Sequence, residues 1–477
     1  MTKRRIAVIG GGMTGLSAAF YLQKAVQNND LQAECVLYEA SDHAGGRIET
    51  IKRDGFTIET GPDSFLARKT SMSDLAEEVG LKDDLVPNQG GSFILSRGKL
   101  HKMPEGAIMG IPTKWGPFVQ TGLFSVKGKA RAAFDLVLPR VTKGEEDISL
   151  GEFFRKRLGN EVVDNMIDPL LSGIYAGNMD EISLHATFPH FQTLEEKYRS
   201  LIVGMKTSMA KRQGGASKQT GAKPKGMFLT FKQGLSSLVT AVESNLDKDM
   251  IRFNHQLNSL NRLSSGRYEL IFANGHVDIV DEVILTTPHQ HVEKLFESED
   301  FGDAFTDMPS TSVATVAMAF PESAVKKDID GTGFVVSKKT DYRITACTWT
   351  HKKWVHAAPQ GYALLRAYIG KPGDEGVVNE SDETIQSLVL NDLNRIMEIE
   401  GEPLFAVVTR WTNSMPQYKV GHKARITAYR EALNLRYPGV LLAGASLNGI
   451  GLPDCIDQGK AAAKTLVNQN ARNIAAL

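Results

Sequence analysis

Several short apolar runs along the chain do not alternate. Ile6-Ala7-Val8-Ile9, Val36-Leu37-Tyr38, Val283-Ile284-Leu285 and Leu441-Leu442-Ala443 are too short for helices and offer no polar face. That is the pattern of strands buried on both sides of a parallel sheet. Between them the period changes. Met72, Leu75, Ala76 and Val79 ahead of Gly80 predict a short amphipathic helix over 70–81 with a glycine stop. Residues 92–103 alternate around Arg97-Gly98-Lys99 and predict a hairpin. From 127 to 205 the spacing is helical, with Ser149-Leu150-Gly151-Glu152 placed as a capping box before Phe153-Phe154. A helix over 235–246 precedes two strands, 268–272 and 277–280, around Asn274-Gly275. Strand-like runs at 313–320, 333–337, 344–349 and 363–369 then predict an antiparallel sheet. A helix over 381–396 and a strand over 406–411 lead to the last glycine-rich segment.

Glycines follow the first and last apolar runs. Gly10-Gly11-Gly12-Met13-Thr14-Gly15 places glycine at each position of the G-x-G-x-x-G dinucleotide fingerprint. Gly10 permits the tight turn, Gly12 lets the backbone approach a pyrophosphate, and Gly15 lets the helix pack on the strand. Helix N–H groups then hold the phosphates. The second strand ends at Glu39, 24 residues after Gly15, where a carboxylate accepts from ribose hydroxyls, and no arginine follows to favour a 2′-phosphate. Gly45-Gly46-Arg47 and Gly61-Pro62-Asp63-Ser64-Phe65 come next, and Gly449-Ile450-Gly451-Leu452-Pro453-Asp454 nearly closes the chain. A site assembled from both ends, with segments an NAD half-domain does not need, reads as FAD rather than NAD. Alone, Gly45-Gly46 would read as a surface turn.

At 477 residues the chain predicts two or three domains. Lys+Arg and Asp+Glu are equal at 55 each, so net charge makes no case for nucleic acid. Cys35, Cys347 and Cys455 form no C-x-x-C, which argues for a reducing compartment and against structural zinc or a disulfide reductase. The first strand begins almost at Met1 without a signal-like run, so the expected location is cytoplasmic. Residues 107–126 carry one charge, Lys114, but Pro112 and Pro117 with three glycines exclude a spanning helix. Between Lys197 and Glu243 stand nine Lys/Arg and no Asp/Glu, within which 208–226 reads as a flexible polar loop. Such a stretch is either a solvated basic loop or a face for anionic lipid or an anionic substrate. With Trp115, Phe118 and Phe124 nearby, it leads to an expectation of peripheral contact with anionic membranes.

Glu39 with Gly45-Gly46 matches the extended fingerprint of the amine-oxidase-like flavoproteins. Further runs resemble the protoporphyrinogen/coproporphyrinogen III oxidase family, closest to its Bacillus-type members. They are Gly61-Pro62-Asp63-Ser64-Phe65-Leu66, Leu170-Leu171-Ser172-Gly173-Ile174-Tyr175-Ala176-Gly177, Arg410-Trp411 with Met415-Pro416-Gln417-Tyr418, and Gly449 to Ala462. The resemblance implies a Rossmann-like FAD-binding domain of the amine-oxidase/GR2 type (α/β) with an antiparallel-sheet substrate domain (α+β) and a helical domain. The expected boundaries are 1–64, 226–305 and 425–477 for FAD, 65–105 and 306–424 for substrate, and 106–225 for the helical, membrane-facing part. It implies FAD contacts from Gly10, Gly11, Gly12, Met13, Thr14, Gly15, Glu39, Ala40, Gly46, Arg47, Gly61, Pro62, Asp63 and Ser64. Leu257, Trp411, Ile450, Gly451 and Leu452 complete that set. Lys69 and Tyr368, with Ile174 opposite, fall at cavity-lining positions, although in isolation they read as a surface lysine, a half-buried tyrosine and a core isoleucine. Arg68, Lys69 and Arg366 are candidate anchors for substrate propionates by charge-assisted hydrogen bonds.

The implied activity is oxygen-dependent removal of six electrons from a porphyrinogen in three two-electron steps, with hydrogen peroxide formed, in haem biosynthesis. Coproporphyrinogen III is the expected preference and protoporphyrinogen IX a close second. The cofactor carries the difficult step, in agreement with a sequence that has no Ser/His/Asp or Cys/His constellation. FAD is expected to be non-covalent, because Cys455 lies past the turn where a helix begins. Two alternatives stay open: an amine or carotenoid oxidoreductase on the same scaffold, and a flavin-bound porphyrin carrier without turnover. Oligomeric state is not legible here.

Overall fold

The unbroken apolar runs form a five-stranded parallel sheet, in the order Ile251–Arg252, Ala33–Tyr38, Arg4–Ile9, Glu282–Leu285, Val440–Leu442. The structure, a computed structural model, describes residues 3–475 apart from 143, 145, 216–225, 302–303 and 306–307. Side chains of the central strand leave it on alternate faces, as the pleat requires. Ala7 and Ile9 enter one hydrophobic core and Ile6 and Val8 another, so both faces are covered. Helix Met13–Gln27 leaves the first glycine turn and packs along the terminal helix Leu452–Ala475. Their approach is close: a Cβ on Gly459 would lie 2.2 Å from the Thr14 carbonyl oxygen. This contact brings the two ends of the chain together.

Leu257–Arg262, Tyr268–Phe272 and Val277–Val280 form a three-stranded antiparallel sheet, with Gly275 at φ +83° in the turn read from Asn274-Gly275. A larger seven-stranded sheet runs Phe405–Pro416, Ser310–Pro321, Tyr362–Ile369, Ile344–Trp349, Gly333–Val336, Phe93–Ser96, Lys99–Lys102. All its pairings are antiparallel except Gly333–Val336 with Phe93–Ser96. Helix Asp382–Met397 covers one face with Ile385, Val389 and Leu393, and Ser381 Oγ accepts from the Thr384 N–H at its start.

The helical region holds Leu150–Leu158, Asp168–Tyr175, Pro189–Tyr198 and Leu201–Gly215, joined by a wider π-turn at Val163–Ile167. Ser149 Oγ accepts from the Glu152 N–H at 3.1 Å, but the Glu152 carboxylate turns outward to Lys156 at 2.5 Å. Only half of the expected capping box forms.

The structure departs from the expectations at three places. Helix Leu201–Gly215 takes up 208–215, the start of the expected loop, because extending a formed helix gains a hydrogen bond per residue without a new nucleation cost. Residues 216–225 of that loop lie outside the described residues. Residues 65–87, expected with the substrate sheet, instead bury Phe65, Met72, Leu75 and Ala76 in a core shared with the parallel sheet. There Phe65–Leu66 and Leu85–Pro87 flank Phe228–Phe231 in a small sheet. Finally, Phe118 and Phe124 are core residues with rings 5.3 Å apart, because burying them gains more than leaving them in water. Of the three aromatics expected at a membrane face, Trp115 alone is exposed. Among the described residues no helix is long and apolar enough to cross a membrane.

Candidate functional site

The first glycine turn is shaped by what cannot fit in it. A Cβ on Gly15 would sit 1.8 Å from the Gly10 carbonyl oxygen, and Gly10 itself adopts φ +105° against Thr286. Gly12 is different, since an added Cβ would meet nothing within 4 Å. The turn is therefore tight on its protein side and open on the other. Gly12 also precedes helix Met13–Gln27 without a side-chain cap, which leaves N–H groups at that helix start for another acceptor. Thr287 lies against Gly10, and its buried hydroxyl has no hydrogen-bond partner among the described residues. An open glycine, an uncapped helix start and an orphaned hydroxyl fit a bound phosphate.

Glu39 ends the second strand at the rim of this turn. Its Oε2 accepts from the Gly11 N–H at 2.5 Å, and its Oε1 accepts from the Ser41 N–H and Oγ, each at 2.8 Å. Next to it Ala40 is exposed. The Gly45-Gly46 loop lies across the turn: Gly45 N–H donates to Gly11 O at 2.9 Å, and a Cβ on Gly46 would come within 3.2 Å of Gly12 Cα. Leu257 approaches from the other side. Its carbonyl accepts from His291 Nε2 at 2.7 Å, while His255 N–H donates to Glu39 O at 2.8 Å.

The Gly61–Ser64 segment is held against the second sheet. A Cβ on Gly61 would lie 1.9 Å from the Arg47 carbonyl oxygen and 3.3 Å from the Trp411 ring. The preceding carbonyl, Thr60 O, accepts from three strands: Thr315 Oγ1 at 2.8 Å, Trp411 Nε1 at 2.9 Å and Arg366 Nη2 at 3.2 Å. Asp63 accepts from Lys353 Nζ at 2.7 Å and from Ser64 Oγ at 2.6 Å. Burial opposes its charge, but Lys353 and Arg366 together outweigh burial and hold its pKa well below the usual range. Glu59 behaves oppositely. Burial pushes it up to about 7, although the Leu235 N–H and the Thr50 hydroxyl both donate to it. Arg47, largely desolvated, is lowered by burial.

At the C-terminal end, Ile450, Gly451 and Leu452 are partly exposed where the last helix begins. The loop before them is clamped by the fully buried Tyr418, whose hydroxyl accepts from the Gly449 N–H at 3.0 Å and donates to Ala445 O. Tyr418 stacks on His422, 4.2 Å between ring centres, and His422 Nε2 donates to Leu447 O at 2.9 Å. Lys69 pairs with Asp454 on the first turn of the last helix. Tyr175 packs edge-on against Tyr418, and its neighbour Ile174 is exposed. Cys455 is buried, its thiol pushed up to about 11 chiefly by burial.

Arg68 is exposed. Arg366 is not: it is buried, with its Nη groups donating to the Thr60 and Gly61 carbonyls and to the Tyr368 hydroxyl. An inward guanidinium on a central strand cannot reach an open mouth, so the expectation of an anchor there is corrected. Sequence reasoning did not single out Thr60, Thr315, Lys353 or the loop clamp by Tyr418. A threonine in a strand carries no signal of the carbonyl it will meet. The strand Glu282–Leu285 runs on into Thr286-Thr287-Pro288, so hydroxyls follow its buried end.

The chain is similar over most of its length to known flavoproteins. Residues 13–467 match the profile of the flavin containing amine oxidoreductases. The chain is 51% identical over 461 residues to coproporphyrinogen III oxidase of Bacillus subtilis (strain 168), covering 96% of this chain and 97% of that one. Protoporphyrinogen oxidase 1 of Spinacia oleracea chloroplasts is 28% identical over 470 residues, 94% of this chain and 82% of its own. A solved structure from Exiguobacterium sp. 255-15 superposes with a TM-score of 0.87 at 40% identity, over 98% of this chain and all of that one.

Proposed function

Because the chain belongs to the flavin containing amine oxidoreductase family, and within it to the coproporphyrinogen III oxidases, we propose that it oxidises coproporphyrinogen III to coproporphyrin III. Protoporphyrinogen IX is the slower substrate, oxygen the acceptor and FAD the non-covalent cofactor. The observation that carries the reading is 51% identity spread over 96% of the chain, with the glycine-lined turn intact at its start.

When bound, the flavin would supply two-electron oxidation chemistry for the porphyrinogen, with oxygen as the final acceptor and hydrogen peroxide as the product. The chain's own residues bind and orient. Gly12 and the uncapped start of helix Met13–Gln27 receive the pyrophosphate, and Glu39 at the turn's rim receives the ribose. Gly61, Trp411 and the loop clamped by Tyr418 seat the ring system. Cys455 is packed and its thiol kept protonated, so it forms no link to the cofactor. Lys69 and Arg68 face the propionates of the substrate, and Ile174 and Tyr368 supply cavity walls.

The test is oxidation of both porphyrinogens in air by the purified yellow protein. Red porphyrin fluorescence with stoichiometric peroxide, faster from coproporphyrinogen III, is expected. A higher kcat/KM for protoporphyrinogen IX would overturn the preference. Peroxide from amines alone would favour the amine oxidase reading, and bound porphyrin without peroxide the carrier.

A second reading concerns the membrane. Val126, Phe134 and Val137 are exposed along helix Val126–Ala133 and the turn after it, with exposed Lys127 and Arg140 alongside. This apolar stripe with a basic rim suits peripheral contact with anionic lipid. Vesicle co-sedimentation should then weaken with salt, and equal binding to neutral vesicles would remove the electrostatic part.

A further inference from the structure

A buried guanidinium ordinarily faces a carboxylate, since desolvating a cation without one is unfavourable. Arg366 is 2% exposed, yet among the described residues no carboxylate oxygen pairs with it within 4.0 Å. Its hydrogen bonds go elsewhere. Nη2 donates to Thr60 O at 3.2 Å and to Gly61 O, and Nη1 donates to the Tyr368 hydroxyl at 3.0 Å. The guanidinium carbon also lies 4.9 Å from the centre of the Tyr368 ring, a cation–π distance. Arg366 lines a small cavity of about 20 Å³ together with Glu59, Asp63, Thr350 and His356. Among the described residues, Nε of Arg366 and Oγ1 of Thr350 are buried without partners.

We propose that Arg366 is a positioning residue that couples the Tyr368 hydroxyl to the Thr60–Gly61 backbone. One side chain thereby sets both the seat of the cofactor segment and the direction of a substrate-facing hydroxyl. The orientation follows from donor accounting. A guanidinium only donates, so the Tyr368 oxygen accepts from it and keeps its own proton for another acceptor. Tyr368 is half-buried on its strand, and its O–H is then directed to an acceptor group of the substrate. The two carbonyls gain a charged donor that Thr315 and Trp411 cannot replace at Gly61. The inference rests on the reading of Tyr368 as a cavity wall and of Gly61 as a flavin contact.

The experiment compares Arg366→Lys, Arg366→Gln, Tyr368→Phe and the double variant Arg366→Lys/Tyr368→Phe. Each is read by KM and kcat for coproporphyrinogen III, and by FAD affinity of the apoprotein from fluorescence quenching. Tyr368→Phe should raise KM about tenfold and leave FAD affinity unchanged, as expected for losing one hydrogen bond of a polar pair. Arg366→Lys should raise KM similarly and also weaken FAD about tenfold. Arg366→Gln should weaken FAD further, so that lysine counts as partial rescue. In the double variant the KM effects should fail to multiply, because both substitutions break one link. Multiplicative losses, or wild-type FAD affinity in both Arg366 variants, would overturn the proposal. Should neither Arg366 variant fold, an unchanged KM in Tyr368→Phe overturns it by itself. If the wild-type protein oxidises no porphyrinogen, the functional reading fails while the FAD titration still tests the coupling to Gly61.

Discussion

The two large sheets hold their loops in opposite ways. At the edge of the parallel sheet the loops are shaped by backbone: Gly10, Gly12, Gly15 and Gly46 approach one another where no Cβ fits, or leave a surface open where one would intrude. At the face of the seven-stranded sheet the Gly61–Ser64 segment is tied down by side chains, with Thr315, Arg366, Trp411 and Lys353 reaching it from strands and helices far apart in sequence. Backbone packing tolerates almost no substitution. A side-chain clamp with three donors on one carbonyl has redundancy, and each donor contributes modestly. Gly61 lies where the two constructions meet.

The largest effect is therefore expected at Gly61. Gly61→Ala places a methyl 1.9 Å from the Arg47 carbonyl oxygen, so the segment must move. Purification should yield folded protein with FAD affinity more than about a hundredfold weaker, comparable to losing a tightly fitted contact. Normal yellow colour in that variant would break the comparison at its strongest point.

Glu39→Ala comes next. It removes the acceptor of the Gly11 N–H as well as the proposed ribose partner, and charge-assisted bonds of about 1.5–3 kcal/mol correspond to a ten- to hundredfold loss of FAD affinity. Turnover at saturating FAD should remain near normal, and a titration with unchanged affinity would remove Glu39 from the ribose role.

Lys69→Ala acts on substrate rather than cofactor. If Lys69 leaves Asp454 to hold a propionate, the ratio of kcat/KM for coproporphyrinogen III over protoporphyrinogen IX should fall about tenfold. Parallel progress curves with the two substrates check this. An unchanged ratio would mean that Lys69 serves only its pair with Asp454.

A smaller change is expected from Thr315→Val. Thr60 O keeps its bonds from Trp411 and Arg366, so the loss of one neutral hydrogen bond, about 0.5–1.5 kcal/mol, should weaken FAD only a few-fold. A loss as large as that of Gly61→Ala would show that the clamp has no redundancy.

The smallest expected effect is a pH dependence. Burial raises Glu59 to about 7, so the folded state binds its proton more tightly than the unfolded chain does. The resulting stability is fully present below the ordinary carboxylate range and is lost as pH rises through about 7. Asp63 has the opposite sign: its contribution is present at neutral pH and fades only in acid. Between mildly acidic and mildly basic pH, the melting temperature of the wild-type protein should thus drift down by a few degrees more than that of Glu59→Gln. Equal drift in both would show that Glu59 does not titrate there.

By itself the sequence determined the elements whose signal is local. Apolar runs without alternation predicted the buried parallel strands, and glycine at fixed offsets marked the turn at residues 10–15 and the loop at Gly45-Gly46, because no other residue can occupy a close backbone approach. The family resemblance was legible for the same reason, being carried by contiguous motifs. Tertiary structure alone decided what depended on meetings between distant residues. It placed residues 65–87 in the core of the parallel sheet, drew Phe118 and Phe124 inside, and extended a helix over 208–215. It also turned Arg366 inward to Thr60, 306 residues away in sequence. No local pattern distinguishes an arginine that points to solvent from one that holds a carbonyl. That choice depends on which strand lies opposite and on whether an acceptor there would otherwise be buried without a donor.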